Sequence, residues 1–246
     1  QALVEDFFAP SEQQILAKVS AKGRPLFTTL IWSAKESTLK ALHTGLQADT
    51  RSVEVRDDGV YVQVKESDAR TRTVSDLMAE TMVNWGVTHV FGMVGHSNLG
   101  LADALRLQED AGRLQYIGIR HEGAASFAAS GYAKLTGRPA ACLSIAGPGA
   151  TNMLTGLWDA KVDRAPVLAL TGQVDTQVLG PGAFQEVDLA TAFQGVAAFS
   201  QTVLHTSKHA ELMTLAIKNA LLRRDVAHLI FPDEVQVLPA DDGGAA

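Results

Sequence analysis

The chain has 246 residues, 46% of them apolar and 20% charged, and a net charge of −6 from 21 Lys+Arg against 27 Asp+Glu. That composition excludes a disordered, collagen-like or coiled-coil chain, and basic residues that do not cluster argue against a nucleic-acid binder. Cys142 is the single cysteine and cannot form an internal disulfide, no apolar run approaches the roughly 18 residues of a membrane span, and the acidic N-terminus lacks a signal-peptide layout, so a cytoplasmic protein is expected.

Residues 1–65 suggest a small α+β segment. Helical patterns cover 11–19 and 30–42, and a strand pair at 52–56 and 60–64 turns on Asp57-Asp58-Gly59. A core of about 65 residues is marginal by size. The polar run KESDARTRT follows, and 66–72 is taken as a linker.

From residue 73 the pattern changes to apolar runs alternating with Ala-rich amphipathic segments. A helix is expected over 73–85, opened by Thr73 with Asp76 three residues on and closed by Gly86. Strands are expected at 89–94, 114–119, 140–145, 167–170, 198–204 and 227–231. Helices are expected at 99–107, 122–135 (stopped by Gly137), 150–160 and 208–223, with a short one before the strand at 198–204. Residues 241–246 begin a further linker. Strands this apolar, each separated by a helix, predict an α/β fold: a doubly wound parallel sheet with helices on both faces. In such sheets ligands sit outside the carboxyl ends of the strands.

Four clusters fall at those ends: Gly95-His96-Ser97-Asn98, Arg120-His121-Glu122, the run from Gly147 to Asn152 (GPGATN), and Ala183-Phe184-Gln185-Glu186. Each also has a purely structural explanation. Ser97 or Asn98 suits a helix cap, Glu122 a helix N-terminus, and GPGATN a tight turn. GPGATN is neither a dinucleotide fingerprint nor a P-loop, because Asn152 stands where the third glycine would be and no Gly-Lys-Ser/Thr follows.

The succession IRHEGAASFAASGYAKLTGRPAACLSIAGPGATN, PVLALTGQV and GAFQEVD resembles the pyrimidine-binding domain of thiamine-diphosphate-dependent enzymes, within the pyruvate oxidase and acetolactate synthase group. The resemblance covers about residues 73–240. It implies that Glu122 is the catalytic residue, sharing a proton with N1′ of the cofactor's aminopyrimidine and so activating the cofactor's C2 carbon. Pro148 and Asn152 would bind the pyrimidine, and Phe184 and Gln185 would border the reacting carbon. His96 and Ser97 would stand on the substrate side, where His96 departs from the small or polar residues of the family. The residues alone leave His96 open between a proton shuttle, since imidazole titrates near neutrality, and a surface or capping histidine. His121 is expected to brace the loop.

The implied substrate is a 2-keto acid such as pyruvate, undergoing decarboxylation, carboligation or oxidation. The implied cofactors are thiamine diphosphate and Mg²⁺, with FAD left undetermined. The Gly-Asp-Gly signature that holds diphosphate and Mg²⁺ in the family is absent from the sequence. The resemblance therefore implies a partner diphosphate-binding domain, in a longer chain or a separate subunit, and a homodimer or tetramer. The chain alone is expected to be inactive.

DFFAPSEQQ, LIWSAKESTLKALHTGLQ and SVEV resemble part of a two-lobed phosphopantetheinyl transferase, ending near Val64. That implies a Mg²⁺ ligand in Glu36 and coenzyme A phosphate contacts from Lys35 and Lys40. Glu36 and Lys40 also suit a solvated helix face, being four apart. Two further functions therefore stay open: transfer of the coenzyme A arm to a carrier protein, and a non-catalytic dimerisation domain.

Overall fold

The computed structural model describes residues 8, 10–20, 25, 28–31, 34–35, 53–56, 59–62 and 71–240. The chain divides into two compact units, 1–70 and 71–246.

In the first unit, α1 (Pro10–Lys18) opens on a proline, whose missing N–H costs nothing at a helix start. Strands β1 (Val53–Arg56) and β2 (Gly59–Val62) pair antiparallel with Arg56 opposite Gly59, as the turn chemistry predicts. Residues 30, 31, 34 and 35 are helical; Glu36, Lys40 and the rest of the expected second helix lie outside the described residues. Phe8, Leu16 and Ile31 form a small buried cluster. Beside it the Lys35 Nζ lies 2.8 Å from Glu12 Oε2 with both side chains inaccessible, and 5.7 Å from the centre of the Phe8 ring. This corrects the expectation for Lys35: an ammonium buried against a carboxylate is not presented to a coenzyme A phosphate.

The second unit is the expected α/β layer structure. Its helix α2 (Val74–Asn84) carries the full capping box, with Thr73 and Asp76 bonding each other's backbone N–H. Then follow β3 (His89–Gly92), a 3-10 turn (His96–Asn98), α3 (Leu99–Asp110), β4 (Gln115–Gly118), α4 (Glu122–Thr136) and β5 (Ala140–Ser144). After these come α5 (Pro148–Asn152), α6 (Leu154–Val162), β6 (Val167–Gln173), α7 (Leu189–Phe193), β7 (Ala197–Thr202), α8 (His209–Arg223), β8 (Val226–Pro232) and α9 (Asp233–Gln236). The single helix expected over 150–160 is two pieces meeting at Met153, and α9 lies beyond the last predicted element.

All six strands β3–β8 run parallel, in the order β4-β3-β5-β6-β8-β7. Central strands β5, β6 and β8 are buried at every residue, which is why they are continuously apolar, while the edge strands β4 and β7 are partly exposed. One core, with Met78, Leu101, Leu105 and Ile217, lies under α2, α3 and α8. The other, with Ala125, Ala129, Ala133 and Leu157, lies under α4 and α6. The chain passes from β3 outward to β4 and returns to the other side of β3 as β5, so the carboxyl ends of β3 and β5 open a crevice at the reversal.

One polar group sits deep in the second core. His228 on β8 is fully buried, stacked on Phe193 at 3.8 Å between centroids, with its two nitrogens each 2.9 Å from a hydroxyl, of Thr171 and Ser200. Hydroxyls donate or accept, so either neutral tautomer is satisfied. Burial pushes the imidazole down from its ordinary 6.5 to about 3. The folded chain therefore resists a proton that the unfolded chain accepts, and the contribution to stability is present above pH about 6.5 and lost as pH falls toward 3. Denaturant unfolding should show about 2 kcal/mol lost between pH 7 and pH 5 from this group. His228→Gln, which still bonds both hydroxyls, should remove most of that dependence; an unchanged pH slope in the variant would contradict the assignment.

Candidate active site

Glu122 follows the short loop 119–121 after β4 and is the first residue of α4, where the helix dipole favours a carboxylate. The helix is capped by the preceding His121, whose Nδ1 accepts from the Gly123 N–H at 3.1 Å. His121 therefore holds the loop, as its expected bracing role requires. Glu122 is 7% exposed, and among the described residues its carboxylate has one hydrogen-bond partner, Asn152, whose Nδ2 donates to Oε2 at 3.1 Å.

The other oxygen faces Gly149. A Cβ at Gly149 would lie 3.0 Å from Glu122 Oε1 and 2.5 Å from Ile145 Cγ1, so only a glycine keeps this wall open. Pro148 and Asn152, at the two ends of α5, are exposed beside it. Gly147 turns the chain at φ 66°, and a Cβ there would meet the Gln185 carbonyl at 2.4 Å. Two of the strand-end clusters, GPGATN and AFQE, are thereby brought into contact.

Within the AFQE loop Gln185 takes φ 66°, a left-handed conformation that costs a non-glycine residue on the order of 1 kcal/mol. Glu186 holds the loop. Its carboxylate accepts from the N–H groups of Gly180 at 2.6 Å, Gly182 at 2.9 Å and Ala183 at 2.8 Å. The sequence places Glu186 in the cluster, and its clamping role needs the folded loop to be seen. Phe184 stands outward at the loop tip, 89% exposed.

The His96 turn joins the same crevice. Ile145 lies between it and the Glu122 wall, since a Cβ at Gly95 would meet Ile145 Cγ2 at 2.5 Å. His96 is exposed at the mouth. Ser97, expected on the substrate side, is instead buried, its Oγ accepting from the Ala146 N–H at 2.8 Å, so its hydroxyl serves the framework. Asn98 is also internal: it accepts from the Gly95 N–H at 2.9 Å and donates to the Met93 carbonyl at 3.0 Å. Gln236 ties the turn to α9, a link that the sequence does not signal because the partners are 139 residues apart.

Residues 72–192 match the family model of the thiamine pyrophosphate enzyme N-terminal TPP binding domain. This region is a domain of that family. It is 42% identical over 164 residues to a putative thiamine pyrophosphate-containing protein of Bacillus subtilis, covering 67% of this chain and 28% of that one. It is 36% identical over 172 residues to an acetolactate synthase of Arthrospira platensis, covering 68% and 30%. A pyruvate oxidase of Lactiplantibacillus plantarum is 37% identical over 160 residues, covering 64% and 26%. The chain thus spans less than a third of the length of these three relatives. Residues 1–90 match the 4′-phosphopantetheinyl transferase superfamily, which carries that resemblance past Val64 and into α2 and β3 of the second unit.

The geometry fits the pyrimidine ring of the family's cofactor: Glu122 Oε1 faces a cradle that a side chain on Gly149 would fill. Among the described residues no group of three His, Cys, Asp or Glu side chains could hold a metal ion, and no helix is long and apolar enough to cross a membrane.

Backbone hydrogen bonds, first that from Gly180, hold the Glu186 carboxyl below the usual carboxylate range. Its ordering of the loop is therefore present above the ordinary glutamate range and lost as pH falls through the depressed value. Glu186→Gln, with one acceptor oxygen for three N–H groups, should leave the fold intact and raise protease cleavage within 179–186 at neutral pH. Wild type should show that cleavage only on acidification. Equal resistance of both proteins at neutral pH would contradict the clamp.

Proposed function

We propose that the second unit supplies the pyrimidine-binding half of a thiamine-diphosphate-dependent enzyme acting on a 2-keto acid such as pyruvate. The observation that carries this is the buried Glu122 carboxylate, held at one oxygen by Asn152 and set at the other against Gly149, which has no side chain to crowd it. When bound, the cofactor supplies a carbanion-forming carbon that adds to the keto group and accepts the electrons released on decarboxylation.

This chain's residues bind and orient. Glu122 exchanges a proton with the pyrimidine ring nitrogen, and Asn152 keeps the carboxylate aimed. Pro148 presents an apolar edge to the ring, and the wall at Gly149 lets it approach. Phe184 and Gln185, on the loop locked by Glu186, stand where the substrate's reacting carbon is handled. The relatives' names as acetolactate synthase and pyruvate oxidase support a pyruvate-type substrate. Diphosphate and Mg²⁺ would be held by a second domain, in a longer chain or a separate subunit, within a homodimer or tetramer.

The match over residues 1–90 favours a second reading for the first unit, transfer of the coenzyme A arm to a carrier protein, with Glu36 as a Mg²⁺ ligand.

The test is Glu122→Gln in the chain assembled with a diphosphate-binding domain from one of the relatives. Exchange of the cofactor C2 proton, followed by NMR, should slow about 10²–10⁴-fold, because positioned proton transfer is worth that much, with the melting temperature nearly unchanged. Normal exchange with a lowered melting temperature would make Glu122 a helix-terminal residue and refute the assignment.

A further inference from the structure

Helices α4 and α6 pack side by side along a seam of small and polar groups. A Cβ on Gly156 would strike Ser126, and the Ser130 Oγ donates to Asp159 Oδ2 at 2.7 Å. The Lys134 Nζ lies 2.6 Å from Asp159 Oδ2 and 2.5 Å from Asp163 Oδ2. These partners rise in step along both segments, so the two helices run the same way. Ala125, Ala129, Ala133 and Leu157 face the sheet. One residue after each seam position on α4 stand Phe127, Gly131 and Leu135, and one residue before the seam on α6 stand Trp158 and Val162. A step of one residue turns a helix by about 100°, in opposite senses for these two rows, so both emerge on the same outer side.

The outer side of such a helix layer is normally polar, yet here it is apolar. Leu135 is 90% exposed, Val162 largely so, and Phe127 and Trp158 nearly half. Together they leave on the order of 500 Å² of apolar surface in water, a size at which a patch on a soluble protein is often functional. Gly131, at its centre, is a second and independent observation. A Cβ there would meet no packed neighbour within 4 Å among the described residues, so nothing in their packing requires a glycine. A glycine in mid-helix nevertheless weakens the helix relative to alanine. Whatever uses the missing side chain approaches from outside.

We propose that a second copy of this chain covers the face, with α4 of each copy crossing α4 of the other at Gly131 about a two-fold axis. The spacing suits self-pairing, because Phe127 and Leu135 stand about one turn before and one turn after Gly131. Antiparallel copies set Phe127 of one against Leu135 of the other and let the backbones approach closely at the glycine. Lys134 beside the face is already paired within its own chain, so covering the face leaves that charge compensated. A stable interface removes about 800 Å² from each partner, and the patch supplies its apolar centre. The pairing stands on burial and helix geometry, independently of the cofactor reading.

The test is sedimentation equilibrium of the 246-residue chain. Wild type should pass reversibly from monomer to dimer and stop there, as a two-fold interface closes on itself. Gly131→Gln and Leu135→Glu should each raise the dimer Kd at least about tenfold. Leu222→Glu, at a comparably exposed leucine on α8 (83%), should leave it unchanged. Melted at dilution, where the chain is monomeric, Gly131→Gln should be no less stable than wild type, because it displaces no packed neighbour and glutamine is the better helix former. That comparison separates a lost interface from a damaged fold.

A monomer at every concentration, growth beyond the dimer, or a dimer indifferent to both face variants overturns the proposal. So does uptake of a relative's diphosphate-binding domain by a chain that stays monomeric, if Leu135→Glu abolishes it, since the face then belongs to that domain. Exchange of the cofactor C2 proton through Glu122 is decided separately, so neither reading falls with the other.

Discussion

A carboxylate taken nearly out of water must be given partners, and the arrangement of the second unit follows from how Glu122 receives its own. It starts a helix, so the dipole of α4 acts on it; Asn152 reaches it from the far end of α5; and its other oxygen lies against Gly149, where a Cβ would crowd it. Asn152 and Gly149 are far from it in sequence. They meet because parallel strands deliver every βα connection to the same sheet edge, and because the chain reverses direction across β3 and β5. A nearly buried carboxyl group with one protein hydrogen bond has capacity left for a further donor. A ligand that supplies the second hydrogen bond uses that capacity.

The crevice is rigid on one side and loop-built on the other. Ser97, Asn98 and Gln236 lock the His96 turn through bonds to backbone, while Gly147 lets the GPGATN turn pack on Gln185 and Glu186 ties its own loop together. Most of the polar side chains there hold backbone in place, whereas His96 and Asn152 are exposed and Glu122 is nearly buried. The left-handed Gln185 fits this division, since a strained residue persists only where its surroundings over-determine it.

Much of the fold was legible in the sequence for a simple reason. Continuous apolar runs such as 140–145 and 167–170 belong to strands covered on both faces, and Ala125, Ala129 and Ala133 mark a helix face that packs closely. Glu122, GPGATN and AFQE were visible because strand ends are where such sheets bind ligands. What stayed hidden depends on contacts between distant segments. Ser97 looks like a substrate-side hydroxyl until its bond to Ala146 is seen. Lys35 looks like a phosphate ligand until its pairing with Glu12 is seen. The short helix α9 follows Pro232 in what reads as an exit from the last strand, and its link to the His96 turn is seen only in the bond from Gln236 to the Ser97 carbonyl.

The central claim is that the wall formed by Glu122, Gly149 and Asn152 receives an aminopyrimidine ring. It is tested most directly with 4-amino-5-hydroxymethyl-2-methylpyrimidine, the cofactor's ring without its diphosphate, titrated into the nitrogen-15-labelled chain. The account predicts saturable shifts at the Gly149 amide and the Asn152 side-chain amide, abolished by Gly149→Val, whose side chain would fill the cradle. Shifts confined to other parts of the unit, or unchanged by Gly149→Val, would contradict it.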